Sequence, residues 1–86
     1  MIIFITTEKG FDELKPIIKS GCYPLWYGKD ILSSEQIDFL ESSEIDVNEF
    51  NYSIDVSDRE TIDCALQTIA EHHPDKRVWM EFKPKI

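Results

Sequence analysis

Short apolar runs alternate with amphipathic stretches along this chain, and the alternation predicts its elements. Ile2–Ile5 is continuously apolar, which reads as a strand buried on both faces and therefore inside a sheet. Phe11, Leu14, Ile17 and Ile18 recur at helical spacing, with Gly21 beyond them as a stop. Pro16 suits a first turn, so this helix is expected to start near Asp12 or Glu13. Cys22–Tyr27 reads as a second strand. Pro24 has no N–H for a ladder, so the strand is expected at an edge or interrupted.

After a turn over Gly28–Asp30, Ser33 and Gln36 stand at capping-box spacing, with Leu32 and Ile37 placed as a hydrophobic staple. They open a helix ending near Ser42 or Ser43, with Ile37 and Leu40 facing inward. Glu49–Val56 alternates: Phe50, Tyr52, Ile54 and Val56 fall on one face, and Asn51, Ser53 and Asp55 on the other. That pattern predicts a strand with one wet side. Ser57 and Glu60 form a second capping-box pair before Ile62, Ala65, Leu66, Ile69 and Ala70, the stripe of a core-facing helix ended by Pro74. Arg77–Phe82 is the last predicted strand, with Val78, Met80 and Phe82 opposite Trp79 and Glu81.

The order β-α-β-α-β-α-β implies an α/β fold in which three helices pack on a four-stranded, mostly parallel or mixed sheet with right-handed crossovers. A ferredoxin-like α+β sandwich is the alternative if the middle helix is short. With 86 residues, the whole chain, 1–86, is expected to be a single domain.

Charge changes the picture most. Between Glu35 and Asp63 stand ten carboxylates against one base, Arg59, while the rest of the chain is nearly balanced and the net charge is −8. The same stretch carries too many apolar residues for a disordered acidic tail. It reads as a folded wall, apolar inside and acidic outside. Such a balance repels phosphate backbones and anionic membranes, which argues against direct nucleic-acid or membrane binding. The C-terminal bases Lys76, Arg77, Lys83 and Lys85 are interrupted by Glu81 and read as solvated ends. No signal-peptide pattern and no run near the ~18 apolar residues of a membrane helix is present, so a cytoplasmic protein with reduced thiols is expected.

The candidate chemistry is sparse. Cys22 and Cys64 form no C-x-x-C pair; Cys64 falls on the outer helix face among carboxylates, which disfavour a thiolate, and Cys22 reads as a small buried hydrophobe. His72 and His73 point about 100° apart on a helix and do not converge on an ion, whereas a helix C-terminus favours them for capping. No EF-hand pattern, phosphate-cradling glycine loop, metal set or cofactor box is found. Trp79 reads as core. Tyr23, Trp26 and Tyr27 divide between core and surface, and Trp26 and Tyr27 are candidate exposed anchors.

The expected function is therefore that of a small acidic protein-binding module rather than an enzyme. The favoured form is an antitoxin- or immunity-type inhibitor that occupies the positive groove of a basic nuclease or other nucleic-acid-acting toxin. Asp38, Glu41, Glu44, Asp46 and Glu49 are its expected contact residues, with Trp26 and Tyr27 as anchors. A phage- or plasmid-encoded nucleic-acid mimic is one alternative; a small cytosolic enzyme or redox domain using Cys22 or His72/His73 is another. A third is strand addition to another protein through Cys22–Tyr27 or Glu49–Val56 at an open edge. Oligomeric state is left open, a homodimer included.

Overall fold

The computed structural model describes residues 1–81; Phe82, at the end of the expected last strand, and the bases Lys83 and Lys85 lie outside the described residues. The elements run β1 (Ile2–Ile5), α1 (Glu8–Lys19), β2 (Leu25–Tyr27), α2 (Ser34–Ser42), β3 (Val47–Glu49), α3 (Arg59–His72) and β4 (Val78–Met80). The strands form one sheet in the order β3-β2-β1-β4, every neighbouring pair parallel. This is the expected α/β architecture, with an all-parallel sheet.

Alternation along β1 and β2 separates two cores. Ile3, Ile5, Leu25 and Tyr27 project to one side, where Phe11 and Ile18 of α1 and Leu40 of α2 cover them. Ile2, Phe4 and Trp26 project to the other, against Ala65 and Ile69 of α3 and the ring of Phe50. Burial of β1 on both sides is the reason its sequence is continuously apolar. Two helices thus lie on one face and one on the other, and the chain reverses its winding between β1 and β4, the topological switch point of this kind of sheet.

Four local expectations are corrected. Helix α1 begins at Glu8, not near Asp12, because Thr7 caps it: the Thr7 hydroxyl accepts the Gly10 N–H at 3.0 Å, a bond worth about 1 kcal/mol. Pro16 consequently lies inside the helix, where it removes one backbone donor. Strand β2 is interior rather than an edge, and it is the other alternative that holds: the expected Cys22–Tyr27 strand is cut short at Pro24 and runs only over Leu25–Tyr27. Pro24 sits one residue before it, and the Pro24 carbonyl accepts the Ile3 N–H at 2.9 Å, so the missing proline donor costs no ladder bond.

The third strand is Val47–Glu49 rather than Glu49–Val56. Phe50, Tyr52 and Ile54 do share one side, packing into the α3 core, but as a loop that crosses beneath the sheet edge, and Val56 is exposed. Two bonds anchor that loop: Phe50 N–H donates to the Tyr27 carbonyl at 2.9 Å, and Lys29 N–H to the Tyr52 carbonyl at 3.2 Å. The cap of α3 is Asp58, not Ser57. Its carboxylate accepts the Glu60 and Thr61 N–H groups, while Ser57 donates to Asp55. By contrast, α2 opens on the Ser33–Gln36 capping box as expected.

Candidate protein-binding face

The acidic stretch is divided by the sheet. Asp55, Asp58, Glu60 and Asp63 belong to the α3 side, and two of them are occupied locally: Asp58 caps the helix and Asp55 holds Ser57. Hydrogen bonds from the Ser57 hydroxyl and N–H hold the Asp55 carboxyl below the usual aspartate value. The expected single wall of ten carboxylates is therefore two groups on opposite faces. The second group is the larger: Glu35, Asp38 and Glu41 on α2, Glu44 and Asp46 in the connection, and Glu49 at the end of β3. All six are exposed.

The path of the chain brings these six together. Helix α2 buries Leu40 against β2, which leaves Asp38 and Glu41 outward. It ends in a Schellman turn: Glu44 N–H donates to the Glu41 carbonyl at 3.3 Å and Ile45 N–H to the Leu40 carbonyl at 3.5 Å. Ile45 then plugs into the core beside Leu40, so the chain doubles back into β3 immediately beside the helix. Glu44 occupies the left-handed position of that turn, at φ 57°, where glycine is favoured.

Tyr27 reports how close the two acidic segments come. Its hydroxyl titrates above the ordinary value first because of burial, and then because the charges of Glu49 from β3 and Glu41 from α2 both reach it. The carboxylates bond only to nearby uncharged groups: Glu49 accepts the Asp30 N–H at 3.3 Å, and Asp46 accepts the Asn48 amide at 3.4 Å. Among the described residues no lysine or arginine hydrogen-bonds to any of the six. Residues 31–58 contain no lysine or arginine at all. The result is a concentrated negative edge, with Lys15 of α1 beside Glu35 at one end of it.

The aromatic anchors are a correction. Trp26 is 5% exposed and Tyr27 3%, and as neighbours on β2 they point into opposite cores, so neither stands free for a partner. Trp26 packs at a tilt against Phe50 and His72, with ring centroids 5.2 and 5.3 Å apart, and its indole N–H donates to His73 Nε2 at 3.2 Å. A buried indole needs such a partner, and the position of His73 on the apolar stripe of α3 was the signal for it. Cys22 is exposed rather than buried, because it sits in the loop ahead of β2. Its thiol faces the Ser20 carbonyl at 3.8 Å. Trp79, expected in the core, is 42% exposed.

One cluster has no counterpart in the sequence reading. The Glu81 carboxylate lies at the switch point between β1 and β4, where it accepts the Thr6 and Thr7 N–H groups at 2.8 and 2.9 Å and both threonine hydroxyls. Burial pushes this carboxyl up, but the bonds from Thr7 and Thr6 outweigh it and hold the group below the usual glutamate value. Sheets of this kind take up anions at that crevice; here the chain's own carboxylate fills it. Gly10 is part of the fit, since a Cβ there would run into the carboxylate.

No protein-family model matches the chain, and neither does any curated protein or solved structure. Among the described residues no group of three or more His, Cys, Asp or Glu side chains is placed to hold a metal ion, and no helix is long and apolar enough to cross a membrane.

Proposed function

We propose that this chain is a protein-binding module whose α2–β3 edge docks a basic protein, acting as an antitoxin- or immunity-type inhibitor. The carrying observation is the set of six exposed carboxylates, Glu35, Asp38, Glu41, Glu44, Asp46 and Glu49, none of which hydrogen-bonds to a lysine or arginine among the described residues. A protein that acts on nucleic acid carries a positive groove for phosphates, and a rigid row of carboxylates can occupy it instead. Complementary fields then steer the encounter, raising association rates toward about 10⁸–10⁹ M⁻¹s⁻¹ at low salt. Glu44 adds weight. A glutamate stands in a left-handed turn position where glycine would relieve the backbone, and strain at a surface site is consistent with a role for the side chain.

The test compares the wild-type chain with the Glu41→Lys, Glu44→Lys, Asp46→Lys triple variant as bait for a lysate from its own source. The wild type is expected to retain a basic protein at low salt and release it at high salt. The captured protein should cleave nucleic acid, and added wild-type chain should inhibit it. The triple variant should bind it orders of magnitude more weakly with an almost unchanged melting temperature. Equal capture by the triple variant, or a captured nuclease that the chain does not inhibit, would discard this reading.

A further inference from the structure

The far edge of the sheet differs from the acidic one in its side chains and its charge. β4 pairs with β1 on one side only; among the described residues no strand lies on its other side. The ladder shows which groups are left over. Ile2 N–H donates to the Arg77 carbonyl at 2.7 Å, and Glu81 N–H donates to the Phe4 carbonyl at 2.9 Å. A parallel ladder uses alternate residues of a strand, so 77, 79 and 81 turn their backbone groups toward β1. Val78 and Met80 turn theirs, two N–H and two C=O, to the open edge.

Side chains repeat the contrast. Val78 and Met80 pack into the α3 core, so Trp79 stands on the opposite face, where α1 and α2 leave β4 uncovered. It adjoins Met1, Leu14 and Ile17 around a shallow apolar dent. Met1, Ile17 and Trp79 are each more than 40% exposed, and they form one patch rather than scattered residues.

We infer that β4 is a self-association edge that pairs antiparallel with β4 of a second copy across a two-fold axis at Trp79. In this register Val78 faces Met80 of the second copy, and the two outward N–H and two outward C=O groups of each strand meet their complements in two hydrogen-bonded pairs. Trp79 then faces its own counterpart in the intervening non-hydrogen-bonded pair, where side chains approach most closely. Charge fits the same register. Arg77 falls opposite Glu81 of the second copy, on the Trp79 face; the Glu81 carboxylate stays bonded to Thr6 and Thr7 of its own chain but keeps its negative charge, so opposite signs meet at both ends.

Charge also selects the occupant. On a chain of net −8, the segment Lys76–Glu81 carries two bases and one acid, whereas the six-carboxylate edge lies three strand spacings away, beyond β1 and β2. Two copies can therefore meet here without opposing their acidic edges. The association is isologous and closes at two.

Sedimentation equilibrium over a concentration series tests this. The wild-type chain is expected at twice its 10.1 kDa mass, dissociating on dilution. Trp79→Lys should be monomeric throughout, and Arg77→Glu, which sets like charges across the axis, should dissociate at least tenfold more readily. Far-UV circular dichroism and cooperative unfolding confirm that each variant folds; if Trp79→Lys does not, Arg77→Glu decides. A wild-type chain that is monomeric at every concentration would overturn the inference. So would a dimer that both variants leave intact, since it would use another surface.

Discussion

Replacing Glu44 by glycine separates what this residue costs the fold from what it offers a partner. The residue sits at φ 57° in the turn that closes α2, and a side chain there costs about 1–2 kcal/mol relative to a residue without a Cβ. Glycine raises the entropy of the unfolded chain, which returns about 0.4–1 kcal/mol. Removing one carboxylate from beside Glu41 and Asp46 contributes a few tenths in the favourable direction, since all three are exposed. The net expectation for Glu44→Gly is a stabilisation of about 0.5–1 kcal/mol, or roughly 2–8 °C in Tm for a domain of this size. Glu44→Ala is the control, because it removes the same charge but keeps the Cβ, and it should leave stability within about 0.5 kcal/mol of wild type. Urea denaturation at neutral pH measures both, with an unchanged m-value showing that the same structure is being unfolded. If glycine and alanine shift the midpoint alike, or if glycine lowers it, the turn does not govern the effect and the reasoning fails. Both variants should release a cationic partner at lower salt than wild type, so that glycine gives a protein that is more stable and binds less well.

Three further perturbations probe the packing of the sheet. Gly10→Ala improves local helix propensity by about 1 kcal/mol, yet it should destabilise the protein, because the new Cβ displaces the Glu81 carboxylate from bonds to a charged acceptor worth about 1.5–3 kcal/mol before allowance for partial exposure. The same clasp sets an acid limb. A carboxyl held below its ordinary value of 4.5 adds stability above that pH and loses it as the pH falls through the lowered value, so the gap between wild type and Glu81→Gln should shrink below pH 4.5; a gap constant with pH would exclude the clasp. His73→Ala leaves the indole N–H of Trp26 unpaired at a site 5% exposed, at a cost of about 1–3 kcal/mol. In a cycle with Trp26→Phe the two losses should be less than additive, and strict additivity would argue against the bond.

What could be read from the chain is what local chemistry decides. The buried run Ile2–Ile5, the Ser33–Gln36 box and the α3 stripe each state their own structure, and together they imply the layered α/β fold. The misreadings arose where one residue serves a distant one. Pro24 reads locally as an edge signal, but its carbonyl, not its absent N–H, is what β1 uses. The alternation from Phe50 to Ile54 reports which core those side chains enter, and a loop can satisfy it as well as a strand. Thr7 caps α1, and its second partner, Glu81, lies 74 residues away, beyond any local pattern. At the candidate site, the negative edge of Asp38, Glu41, Glu44, Asp46 and Glu49 was legible because a base-free segment cannot neutralise itself. The burial of Trp26 and Tyr27 was not, since it depends on β2 being interior, and that follows from the crossovers.

The two ends of the sheet are protected by unlike means, and the difference bears on function. A parallel sheet has exposed backbone donors and acceptors at both outer strands, and each is a template for unwanted pairing. At β3 the chain limits this with a strand of three residues flanked by Asp46 and ended by Glu49; any strand approaching that edge meets a negative field unless it is cationic. At β4 the strand is equally short, but its outward-facing neighbours are Trp79 and Arg77, which repel nothing with an apolar or mixed surface. An edge shielded by like charges admits only partners of the opposite sign, and an edge bearing an aromatic with charges of both signs admits a copy of itself. Both follow from placing an acid-rich segment after the second strand and an aromatic in the fourth, in a sheet whose order sends those strands to opposite ends.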